Sequence, residues 1–157
     1  MPDHLTNSAR VFPSEHASIR DSRLFVRRFA ERWPFSTGRL ADIELAASEL
    51  STNAVVHGAG DSYEVALEGS PVGLSLSVTS AGSQTFPQVR RPRADEESGR
   101  GLLIVSRVGD TFSVTQTSKA VTVSCSFEIV GQPPTLTPPA PAPGPSPRLW
   151  SAPCRSR

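Results

Sequence analysis

The chain has 157 residues, with 16 Lys and Arg against 15 Asp and Glu, and 15 prolines. That length fits one domain and excludes a multidomain machine. Nine of the prolines fall in the 27 residues from Gly131 to Arg157; without that tail the body holds 13 basic and 15 acidic side chains, too little positive charge for a dedicated nucleic-acid binder.

Residues 1–10 read as a flexible N-terminus. Val11-Phe12-Pro13 is the first apolar patch and predicts a short edge strand, where Pro is tolerated. A helix is predicted from Ser14 or Glu15 to Trp33. Ile19, Val26, Phe29 and Trp33 recur at helical spacing, and Arg20, Arg27 and Arg28 fall elsewhere on the wheel. Pro34 stops it. A second helix is predicted from Leu40 to His57, with Ile43, Ala47, Leu50 and Ala54 as its apolar stripe. Gly58 and Gly60 follow as terminators. Ser62–Glu68 and Leu74–Val78 alternate as strands, joined by a hairpin loop over residues 69–73. Ser80–Gly99 has no periodicity, and so long a loop inside a domain reads as a functional lid. Gly101–Val108 predicts a third helix, and Phe112–Val114 and Val121–Ile129 two further strands. The expected fold class is α+β: a two-layer α/β sandwich, its sheet mixed but mainly antiparallel, with helices on one face. The domain is expected over residues 11–130, and residues 131–157 read as a disordered Pro-rich tail.

Two cysteines, Cys125 and Cys154, are too few for a disulfide framework. Cys125 sits in an apolar alternation and reads as a buried thiol. His4, His16 and His57 have no second ligand at metal spacing, which argues against zinc. The N-terminus has no basic region followed by an apolar run, so no signal peptide is expected. The longest aliphatic run, Leu102–Val105, is far short of the roughly 20 residues that span a bilayer. The expectation is a cytoplasmic protein with no membrane and no direct nucleic-acid partner.

The second helix carries the first chemical feature. Glu49, Asn53 and His57 are spaced i, i+4 and i+8. At about 100° per residue they form one slanted polar ridge beside the apolar stripe. A Glu can serve as a general base, and an amide oxygen is a hard ligand suited to Mg²⁺. By spacing alone the ridge also reads as a solvated helix face. The second feature is Ser98-Gly99-Arg100-Gly101-Leu102, two glycines around an arginine at a helix start. Glycines let backbone N–H groups approach phosphate oxygens, and Arg100 can add a charged contact. Alone it also reads as a flexible loop entering a helix. The third is Val78-Thr79-Ser80-Ala81-Gly82, a strand running into a turn.

In this order the features resemble the ATP-binding fold shared by gyrase-type ATPases, histidine kinases and MutL. The sequence is most similar to the small anti-sigma-factor serine/threonine kinases and the short ATP-binding regulatory proteins of actinomycetes. The likeness covers about Val11 to Ile129. It rests on Glu-Leu-x-x-Asn-Ala-x-x-His-Gly from Glu49 and on Gly-Arg-Gly-Leu-x-x-Val from Gly99. Phe12-Pro13, the Arg-studded first helix and Asp110 also fit.

The resemblance implies ATP and Mg²⁺ as ligands. It implies Glu49 as the general base acting on a serine of an anti-sigma-factor antagonist, and Asn53 as the Mg²⁺ ligand. The segment between Gly82 and Gly99 corresponds to the lid, where Arg90, Arg91 and Arg93 lie, and Gly99, Arg100 and Gly101 to the phosphate cradle. His57, Ser80, Gly82 and Leu102 complete the expected nucleotide site. Where relatives place an Asp that accepts from the adenine amino group, this chain has Ser80. Losing a good partner there costs about 1–3 kcal/mol, or roughly 5- to 150-fold in affinity. Lys119 is followed by Ala120 where many relatives have a Thr. Two functions follow as expectations. One is a regulatory serine/threonine protein kinase that phosphorylates a small antagonist protein or sequesters a sigma factor. The other is a non-catalytic partner-switch protein with a degenerate nucleotide site. Homodimerisation is left open.

Overall fold

Residues in the strands alternate between two environments. Tyr63, Val65 and Leu67, then Leu74, Leu76 and Val78, then Val121, Val123, Cys125 and Phe127 are all buried. Their neighbours Glu64, Glu68, Ser75, Ser77, Thr122 and Ser124 are not. A period of two with one apolar set specifies a sheet covered on one face. The computed structural model describes residues 5–82 and 100–130, and it shows that sheet. The elements run β1 (Thr6–Pro13), α1 (His16–Ala30), α2 (Thr37–His57), β2 (Ser62–Ser70), β3 (Gly73–Ala81), α3 (Arg100–Val108), β4 (Thr111–Gln116) and β5 (Ala120–Glu128). The strand order is β1-β2-β3-β5-β4, and every pairing among the described residues is antiparallel. The expected α+β sandwich is therefore present, with no parallel pair in it.

The open face carries small hydroxyl side chains in cross-strand pairs. Ser77 and Ser124 lie 2.8 Å apart, Thr79 and Thr122 2.9 Å, and Thr111 and Ser126 2.7 Å. These pairs satisfy one another's polar atoms without a second helical layer. The covered face meets α1 and α2 through Val26, Phe29, Ile43, Ala47 and Leu50. Tyr63 is buried there, and its hydroxyl pairs with Ser18 of α1 at 3.0 Å, which removes the cost of burying it.

Several boundaries differ from the sequence reading, each for a local reason. β1 begins at Thr6, so residues 6–10, expected to be a flexible N-terminus, pair with β2 out to Gly69. α1 ends at Ala30, before Trp33. Trp33 is nevertheless buried, because its indole lies over Gly69: a Cβ there would sit 2.4 Å from Nε1. Gly69 is thus a strand residue kept small for an aromatic, and the β2–β3 turn shrinks to Pro71 and Val72. α2 starts at Thr37, because Ser36 caps it by accepting from the Arg39 N–H at 3.2 Å. Gly58 does end α2, but its φ is −67°, so left-handed freedom is not the reason. A Cβ at Gly58 would lie 2.3 Å from the Ala54 carbonyl oxygen and 3.1 Å from Ser80 Cβ. Close approach to β3 requires the glycine.

Cys125 is the buried thiol expected, and burial pushes its pKa up to about 12. Cys154, the tail and most of the lid, including Arg90, Arg91, Arg93 and Gly99, lie outside the described residues. No helix among the described residues is long and apolar enough to cross a membrane.

Candidate functional site

The polar ridge of α2 is oriented from below. Ser51 is buried and pairs with Ser22 of α1 at 2.8 Å. Two serines at a helix crossing let backbones approach closely and fix the roll of α2. Ile43, Leu50 and Ala54 complete the buried side. Glu49 and Asn53 are then half-buried, and His57, a turn further on, is exposed. None of the three makes a side-chain hydrogen bond or ion pair among the described residues.

α3 packs against α2 along a seam that reaches the first residue of this ridge. Leu102 and Val105, three residues apart, are its buried side chains. The N-terminal end of α3 reaches Glu49. A Cβ at Gly101 would sit 2.6 Å from Glu49 Oε2, so glycine is what lets the carboxylate lie against the α3 backbone. Arg100, next to it, is exposed. Glu49 and the described part of the Gly-Arg-Gly motif, 51 positions apart in sequence, are therefore neighbours in space.

A second group gathers at the C-terminal end of α2. Ser80 lies on the covered face of β3, with Gly58 against its Cβ. Gly82 donates its N–H to the Lys119 carbonyl at 2.8 Å and packs on the Ala120 backbone. The Ala59 N–H donates to the Ala81 carbonyl at 3.2 Å. Ser80, Gly82 and Ala120 thus share one end of the sheet. Nine residues of α2 separate Glu49 from Gly58, about 13 Å of helix rise, with Asn53 between them.

Sequence reasoning missed the other end of α2. Arg39 Nη1 donates to the Val108 carbonyl at 2.7 Å, Nη2 donates to Asp110, and the guanidinium lies over the Phe127 ring at 5.1 Å. Asp110 also accepts from the Glu128 N–H at 2.6 Å. Burial works to raise the Asp110 pKa, but the Glu128 N–H and Arg39 outweigh it and hold the carboxyl below its ordinary value. A signal was present. A cation in the first turn of a helix opposes the macrodipole, so Arg39 called for a partner.

The sequence of residues 12–126, most of the span from β1 to β5, matches the histidine kinase-like ATPase domain. The chain belongs to that family. Membership implies ATP as the nucleotide. No curated protein matches the sequence. Among solved structures, the RsbU and RsbW domains of Rv1364c from Mycobacterium tuberculosis align with a TM-score of 0.57 and 19% identity. That alignment covers 77% of this chain and 32% of the longer one. At this identity the likeness is one of fold.

Proposed function

We propose that this ATPase-family domain is an anti-sigma-factor-like serine/threonine protein kinase of the cytoplasm. Its substrate would be a serine on a small antagonist protein, and its second partner a sigma factor. The observation that carries this reading is the contact of Glu49 with Gly101. It puts a half-buried carboxylate, without a hydrogen-bond or ion-pair partner among the described residues, beside the backbone of a helix start. That is the pairing a phosphoryl transfer needs, since its catalysis is mainly positioning and electrostatics.

The residues fit the ligands. Gly101 has no side chain to shield the backbone of the α3 start from phosphate oxygens, and Arg100 is exposed beside it. Asn53 offers a neutral oxygen between the two clusters, where Mg²⁺, which keeps most of its waters, would need little more from the protein. Ser80 and Gly82, at the sheet end, would face the base, and His57 and Leu102 flank the seam. When bound, ATP supplies the phosphoryl group and Mg²⁺ offsets its charge. Glu49 would accept the proton that the substrate serine gives up. Leu45 and Val56, exposed apolar residues four before and seven after Glu49, share its flank of α2 and offer a contact surface for a protein rather than a small substrate.

A second reading is a non-catalytic partner switch, and Ser80 favours it. A serine is a shorter and weaker acceptor than the carboxylate it replaces, and it stands at the base end of the seam. Calorimetric titration with ATP, with and without Mg²⁺, separates the two. The kinase reading expects micromolar binding that needs Mg²⁺ and is lost in Asn53→Ala. Absence of binding up to millimolar ATP would leave the partner switch.

A further inference from the structure

We infer that Arg39 is a positioning residue for the candidate site: by holding the C-terminal end of α3 it sets where the opposite end, Gly101, lies against Glu49. The inference rests on reading the α2–α3 seam as a nucleotide site. Arg39 itself sits about 15 Å of helix rise from Glu49, ten residues away along α2, and acts only through α3.

α3 has nine residues, shorter than the roughly 12–15 at which isolated helices become marginal. Its place must come from tertiary contacts. Its two buried side chains, Leu102 and Val105, supply apolar burial, which is non-directional and tolerates sliding along the seam. The contacts at its C-terminal end are directional. Arg39 holds the Val108 carbonyl and Asp110 with two arms of one planar fork. Asp110 is in turn fixed to β5, because it accepts the Glu128 N–H and its own N–H donates to the Ser126 carbonyl at 2.8 Å. The guanidinium also covers Phe127 of the core. One side chain therefore joins α2, the end of α3 and the sheet.

The geometry turns this joint into a ruler. α3 runs antiparallel to α2: Gly101 meets Glu49 and Val108 meets Arg39. A helix transmits an axial shift from one end to the other, so slack at Val108 appears at Gly101. There the clearance is small, with a single Cβ enough to bring atoms within 2.6 Å of Glu49. Lysine is no substitute, because a point donor cannot hold the carbonyl and the carboxylate together.

The test uses the full chain, with Arg39→Lys, Arg39→Ala and, as a stability-matched control, Val26→Ala in the core of α1. Two quantities are read: Mg²⁺·ADP affinity by calorimetry, and amide hydrogen exchange across residues 102–108 without nucleotide. Arg39→Ala is expected to lower affinity about tenfold and to speed exchange across α3, with Arg39→Lys between it and the wild type. Val26→Ala should lower the melting temperature at least as much and leave affinity unchanged. If Arg39→Ala fails to fold, Arg39→Lys carries the same comparison. Affinity that falls in proportion to melting temperature in all variants would overturn the inference, as would wild-type affinity in the Arg39 variants. If the wild type binds no nucleotide, the nucleotide reading falls. The exchange measurement still decides Arg39: faster exchange across α3 alone supports its hold on the helix, and unchanged exchange refutes it.

Discussion

The two ends of α2 are built in opposite ways. At the N-terminal end, Arg39 engages a carbonyl, two carboxylates and an aromatic ring. Toward the C-terminal end, the side chains of Glu49, Asn53 and His57 hold nothing among the described residues. Folding does not by itself reward the second arrangement. A half-buried carboxylate without a partner loses part of its hydration and gains no bond in return. Groups left in that state are available for a ligand, whereas the Arg39 cluster is already engaged with the fold. The contrast teaches which end to test for activity and which for stability.

The largest expected effect follows from removing the Glu49 carboxylate. Glu49→Ala should reduce phosphotransfer to a partner protein by about 10²- to 10⁴-fold, the usual share of a general base. Nucleotide affinity and melting temperature should stay near wild type. Assay with γ-labelled ATP checks the first, and calorimetry and thermal melting the others; equal loss of binding and transfer would remove the general-base role. A steric substitution comes next. Gly101→Val puts atoms where a Cβ alone would be 2.6 Å from Glu49 Oε2. Since Glu49 is a side chain and can swing away, the fold should survive. Nucleotide affinity should fall by roughly tenfold or more, because misplacement by about 1 Å can cost a hundredfold.

The sheet and the stripe of α2 were legible in the sequence because burial imposes a period. Ile43, Ala47, Leu50 and Ala54 are buried, and the alternation in β2, β3 and β5 needs no tertiary information to read. The Glu49–Gly101 contact is legible in the sequence only as two separate motifs joined by resemblance, since no local rule connects residues 52 positions apart. Helix ends were less legible. Ser36 lies before the helix that the apolar stripe predicts, and only its capping role, one that Ser favours, extends α2 back to Thr37. Trp33 extended α1 on paper because an indole that packs after a helix keeps the helix's apolar spacing. The short, largely polar β1 was only partly visible, because an edge strand gains its order from the neighbour it pairs with.

A gain of affinity would sharpen the contrast from the other side. Ser80→Asp restores a carboxylate at the sheet end, with its Cβ already set against Gly58. Adenine nucleotides should bind several-fold tighter, consistent with about 1 kcal/mol for one better hydrogen bond. Guanine nucleotides, which lack that amino donor, should gain nothing. Calorimetry with ADP and GDP reads both, and equal gains for the two would show that Ser80 is not at the base.

The smallest effect belongs to Asp110 and is read through pH. Its carboxyl is held below the ordinary value, so the folded protein binds that proton less readily than the unfolded chain. A lowered carboxyl pKa contributes stability that is fully present above the unfolded value, about 3.9, and is lost as pH falls through the folded value. Asp110→Asn keeps an acceptor for the Glu128 N–H but gives up the charge facing Arg39. At neutral pH it should melt a few degrees lower, in line with roughly 1 kcal/mol for a partly exposed pair. The difference from wild type should hold down to about pH 4 and shrink below it, because the wild-type carboxyl is then neutralised as well. Thermal melts from pH 7 to pH 3 trace that convergence. A gap that stayed constant to pH 3 would mean that Asp110 acts through shape and hydrogen bonding alone, and that the clamp at this end of α2 owes nothing to its charge.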